Sequence, residues 1–156
     1  MKLNKFNIVD GVIVLAFLAV LAAGAFFLTR GGGGDEVMVF FDVEFQQMEQ
    51  SFIELVEEGD EIRDAVRNYF LGHVYDVRIE PSVVLVFDSI EGRFMQTVTP
   101  ERYDIFITVS GRGTESNEAI YVEGQIVRVG REMSITGKGY ANTGFIVGLR
   151  TERIAE

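Results

Sequence analysis

Beyond residue 34 the chain is dominated by apolar positions recurring every second residue, the mark of half-buried strands. Val37, Val39, Phe41, Val43 and Phe45 follow that period, and Val74, Val77 and Ile79 come after Gly72. Residues 83–87 make a continuous apolar strand that Gly92 turns, and residues 103–109 read Tyr-Asp-Ile-Phe-Ile-Thr-Val. Gly111 and Gly113 mark one turn, Glu123-Gly124 another, and Gly130, Gly137, Gly139, Gly144 and Gly148 punctuate the rest. Short strands broken at such intervals predict a mainly β fold, a small barrel-like domain closed or partly closed on itself. In a barrel of that size the inward positions must be filled, and Phe41, Val43, Val77, Ile79, Ile105, Ile107 and Val147 are the expected packing. One segment departs from period two. Residues 46–58 carry Met48, Phe52, Leu55 and Val56 at helical spacing, which predicts one short amphipathic helix with Glu49, Glu54, Glu57 and Glu58 mainly on its wet side.

Residues 11–28 are different in kind: they hold no charge, and eleven of the eighteen are Leu, Ile, Val or Phe. As a helix they would extend roughly 27 Å, near the thickness of a bilayer's hydrocarbon layer, so an N-terminal single transmembrane helix is expected. A cleaved signal peptide is the competing reading, with Lys2 and Lys5 as its basic end and Ala23-Gly24-Ala25 as its small-residue site. The apolar run continues through Phe26, Phe27 and Leu28, which favours an uncleaved signal anchor. Lys2 and Lys5 ahead of the run and Arg30 behind it orient the chain with its N-terminus cytoplasmic. Asp10 stands where a helix-start carboxylate meets the interface, favoured by the positive end of the helix dipole, rather than as a buried proton relay. Ala16, Ala19 and Ala23 share one helical face, a candidate for helix association and homo-oligomer formation. The expected organisation is a cytoplasmic segment 1–10, an anchor 11–30, a glycine tether 31–34 and an extracytoplasmic β domain 35–156, located at the cell membrane as a single-pass protein in contact with the lipid bilayer.

Charge narrows the partners. The net charge of −10 argues against nucleic acid, whose phosphates need clustered Lys and Arg. Eleven acids fall within residues 35–64 beside one Arg, whereas residues 65–156 hold twelve acids against ten bases. A calcium site from Glu57, Glu58, Asp60, Glu61 and Asp64 lacks the EF-hand loop pattern, so the stretch reads as a solvated face and no metal or cofactor is expected. With no cysteine, thiolate metal sites and disulfides are excluded. His73 is the lone histidine and lies among strand residues, which suits a surface side chain better than a base. Thr136-Gly137-Lys138-Gly139 lacks both the earlier glycine and the following Ser or Thr of a phosphate loop. Ser134 and Lys138, four positions apart, would be separated by about 13 Å on a strand and could not act as nucleophile and base there. No catalytic residue is expected.

The motif Asn7-Ile8-Val9-Asp10, the middle pair GDEIRD and LGHVYDVRIEP, and the later PERYDIFITVSGRGT, VEGQIVRVG and TGKGYANTGFIVGL occur in order. On these residues the chain resembles the domain of unknown function 4330 family over nearly its whole length. That resemblance implies a membrane-anchored envelope protein of bacteria or archaea with no established activity, and it supplies no catalytic residues. A weaker, architectural similarity links Gly59-Asp60-Glu61-Ile62 and Gly72-His73-Val74-Tyr75-Asp76-Val77 to the MCE lipid-transfer subunits and the adaptors of efflux pumps. A turn glycine followed by an alternating strand would produce the same pattern. The expected function is therefore a non-enzymatic envelope protein whose β domain binds or positions an envelope protein partner. The alternative is an oligomeric, MCE-like or adaptor-like subunit that transfers lipid or another apolar molecule.

Overall fold

The computed structural model describes Val14, residues 16–22 and residues 34–154 of the chain, which divides into two compact units, Met1–Gly33 and Gly34–Glu156. In the first unit Val14 and residues 16–22 are helical and exposed. Among the described residues no helix is long and apolar enough to cross a membrane. The expected transmembrane helix, and with it the single-pass signal anchor and the cell-membrane location, is corrected accordingly. Lys2, Lys5, Asp10, Ala23 and Arg30 lie outside the described residues, while Ala16 and Ala19 sit in the helical stretch with exposed side chains.

The second unit is built from β1 (Asp35–Met48), α1 (Gln50–Ile53), β2 (Glu61–Asp64), β3 (Phe70–Asp88), β4 (Arg93–Glu115), β5 (Ile120–Val122), β6 (Gln125–Val127), β7 (Glu132–Thr136) and β8 (Ala141–Arg153). The order β1–β8–β7–β2–β3–β4 closes because β4 pairs back onto β1 from Asp35↔Glu115 to Met48↔Tyr103. The six strands so joined form an antiparallel barrel, and β5 and β6 extend from β4. Closure removes the free edges that an open sheet of this size would carry.

The alternation of β1 sends Val37, Val39, Phe41, Val43 and Phe45 inward. They meet Ile105, Ile107 and Val109 of β4, Ile62, Leu71, Ile135 and Ile146, all fully buried. Both ends are stoppered. Val122 of β5 packs beside Val39 at Gly113, the Val37 end, while a tilted contact joins Phe45 to Phe52 of α1 at the other, with Tyr140 edge-on behind it. Gly72, at φ +145°, and Gly111 face each other where β3 meets β4, and a Cβ on either would collide with the opposite strand's carbonyl.

Three local expectations change. Val147 points outward and Ile146 inward, because a bulge between Asp42 and Val43 inserts one extra residue into β8 and flips the alternation. Val77 is only half-buried and Ile79 is 46% exposed: beyond Val74, β3 has β4 as its sole neighbouring strand among the described residues, so nothing closes over that side. The helix expected over residues 46–58 shrinks to the four residues of α1, since β1 continues through Met48 and Gln47, at φ +57°, donates its N–H to Asp104 Oδ1 at 2.9 Å.

Candidate functional site

β3 and β4 outrun the barrel. Their paired ends, Val83↔Val98 to Asp88↔Arg93, form a two-stranded arm that no other strand flanks among the described residues. Where the arm leaves the barrel the register jumps from Pro81↔Tyr103 to Val83↔Val98, so one residue of β3 lies opposite four of β4. Such an oversized bulge bends a ribbon and re-aims it. Ser82 is buried in this elbow, and Thr99 Oγ1 is buried without a hydrogen-bond partner. Arg102 braces the bend by donating to Gln47 O at 3.2 Å and pairing with Glu49 at 2.9 Å. An open cleft of about 830 Å³ between Glu49–Ser51 and Pro100–Tyr103 follows from the same bend; its lining is polar and its one cation, Arg102, is already paired.

The arm's tip is tied down by its own sequence. Asp88 Oδ1 accepts from the Ile90 and Glu91 N–H groups at 2.8 and 3.3 Å, the Gly92 N–H donates to Asp88 O at 2.8 Å, and Gly92 takes φ +66°. An aspartate receiving N–H groups two and three residues on is the local chemistry of a tight turn, and glycine adopts its left-handed position without strain. Ile90 is thereby held at the apex, 94% exposed. Phe87 and Phe94 lie edge to face across the strands at 5.3 Å.

Directly opposed residues of an antiparallel ladder share a face. One face of the arm carries Val83, Val98, Leu85 and the Phe87–Phe94 pair; the other carries Val84, Val86 and Met95. Leu85 is 68% and Phe94 70% exposed, and Val83, Val86, Phe87, Met95 and Val98 are exposed as well. A ribbon apolar on both faces and unpaired along both edges is marginal in water by itself. It is an exposed apolar surface. Its signal in the sequence is that residues 83–87 are apolar in both parities, where a strand lying on one core needs only alternate positions.

The candidates for chemistry are dispersed. His73 is exposed and edge-on to Phe70 at 5.2 Å. Ser134 Oγ shares a 2.6 Å hydrogen bond with Thr143 Oγ1, not with Lys138. The Thr136–Gly139 segment is the β7–β8 turn, its Gly137 N–H spent on Tyr140 O at 2.9 Å. The acidic stretch is likewise committed locally: Asp60 Oδ2 accepts from Glu57 N–H at 3.3 Å, Glu61 pairs with Arg63 at 2.5 Å, and Asp64 Oδ1 caps the N–H groups of Val66 and Arg67. Among the described residues no group of three or more His, Cys, Asp or Glu is placed to hold a metal ion. The two halves of the Gly59 and Gly72 pattern are joined, Gly59 N–H to Val74 O at 2.8 Å and Val74 N–H to Asp60 O at 2.9 Å, so that pattern is a turn feeding the β2–β3 ladder. Among the described residues Tyr140 is the one group whose titration is clearly displaced. Burial, then the charge of Asp60 and the approach of its carboxylate, pushes its phenol well above the ordinary value, while its Oη completes no hydrogen bond of good geometry.

Fold and arm together define a class: a small, filled antiparallel β-barrel with a projecting apolar hairpin. The chain belongs to the family described as Domain of unknown function (DUF4330), whose model matches residues 2–150. No curated protein and no solved structure matches it.

Proposed function

We propose that this protein is a non-enzymatic contact module, a β-barrel that binds or positions another macromolecule through its apolar arm. One observation carries the reading: eight large apolar side chains, Val83, Leu85, Val86, Phe87, Ile90, Phe94, Met95 and Val98, stand exposed on one braced ribbon. Contiguous apolar surface of that extent marks an interaction site. A carrier with cargo inside a single barrel would need the space that Phe41, Ile105, Ile107 and Ile146 occupy, and this weighs toward contact over transport.

A photo-crosslinking amino acid placed at Leu85 of the full chain, expressed in its own host cells, tests the reading. Covalent macromolecular adducts are expected from Leu85 and not from the same probe at Val129, which is exposed in the β6–β7 loop. Equal or absent labelling at both positions refutes it.

A further inference from the structure

We infer that the macromolecule bound by the arm is a second copy of this chain, arms joining edge to edge and face to face. The inference rests on the contact-module reading and adds the identity of the partner.

The edges come first. Residues 82–87 and 94–99 contain no charge, no glycine and no proline, so each outer edge of the arm offers uninterrupted backbone donors and acceptors. Proteins that stay monomeric block such edges with Lys, Pro or a bulge. Here the bulge sits at the elbow, beyond the paired segment, and leaves the arm itself open. The segment Ser-Val-Val-Leu-Val-Phe has the β-branched, uncharged character that pairs readily with a copy of itself.

Area agrees. Taking about 200 Å² for a free large side chain, the face that carries Val83, Leu85, Phe87, Phe94 and Val98 presents on the order of 600 Å². A stable protein–protein interface needs about 800 Å² from each partner. One face of the arm supplies most of that area, and pairing along an open edge adds to it.

Charge selects the geometry. Residues 82–99 hold Asp88, Glu91 and Arg93, a net charge of −1 out of −10, so a charge of −9 lies on the rest of the chain. Bodies of like charge repel, and a contact confined to projecting, nearly neutral arms lets two copies join while their barrels stay apart. A lipid interior is a poorer occupant, because the unpaired edge groups would be stripped of water with nothing to replace it.

The chain has no cysteine, so single-cysteine variants report cleanly. Leu85→Cys in the full chain should form a disulfide-linked dimer on mild oxidation, and Val129→Cys should not. Sedimentation of the full chain should show association that Leu85→Lys with Phe94→Lys weakens about 100-fold or more and Val129→Lys leaves unchanged. Equal sedimentation of the unsubstituted chain and the arm variant, or no Leu85 disulfide, overturns the inference. If the Leu85 photo-probe then yields adducts with a different protein, the contact-module reading stands and the second-copy partner falls; if it yields none, both fall.

Discussion

Single residues divide between those the barrel needs and one it tolerates. Phe41, Val43, Ile105 and Ile107 are fully buried, as their alternation requires. Tyr140 is the exception: it is 6% exposed, its ring packs on Phe52, and its hydroxyl finds no partner. Burying an unpartnered hydroxyl costs on the order of 1 kcal/mol or more. Tyr140→Phe should therefore raise stability by about 1 kcal/mol at pH 7, read from denaturant midpoints. The pH dependence has a definite sign. Burial raises the folded-state pKa of the phenol above its ordinary 10.0, so the unfolded chain gives up the proton first and stability falls as pH climbs past 10. Tyr140→Phe should flatten that fall, the separation between the two stability–pH curves staying constant below about pH 10 and widening above it; parallel curves would assign the alkaline loss to other groups.

Elements show where local pattern yields to pairing. Residues 46–58 have helical spacing, but β4 offers Tyr103 opposite Met48 and Asp104 to the Gln47 N–H, and the strand takes three residues from the expected helix. The arm shows the converse, since its strands and its Gly92 turn are plain in the sequence while their separation from the barrel is not. The tip depends on Asp88. Asp88→Ala removes the acceptor for two N–H groups and should cost the hairpin about 1 kcal/mol, within the range of lost turn and cap bonds. Hydrogen exchange at Ile90 and Glu91 should quicken several-fold while Ile105 and Ile107 keep their protection. Faster exchange in the barrel as well would mean that arm and barrel unfold as one unit.

At the scale of the molecule, shape and charge act together on association. Copies that carry −10 each repel over a range set by the Debye length, about 30 Å at 0.01 M salt and 8 Å at 0.15 M. Association through apolar arms should strengthen as salt is raised from about 0.01 to 0.15 M, because screening removes the repulsion and leaves the arm contact intact. Sedimentation at the two salt levels measures it. Weakening with salt would point to attraction between opposite charges and away from a contact made by the uncharged segments 82–87 and 94–99.

The sequence by itself determined the β class, the turn at Glu123-Gly124, and the inward packing of Phe41, Val43, Ile105 and Ile107, because period-two alternation and turn glycines act over a few neighbours. It also contained the arm's composition, in the doubled apolar parity of residues 83–87. Tertiary structure decided the rest. Closure of β4 onto β1, the bulge that exchanges Ile146 for Val147, and the elbow that frees residues 83–98 all arise from pairings between residues far apart in the chain. A one-residue change of register turns a side chain from core to solvent, and no local pattern records which strand will be the neighbour or where it ends.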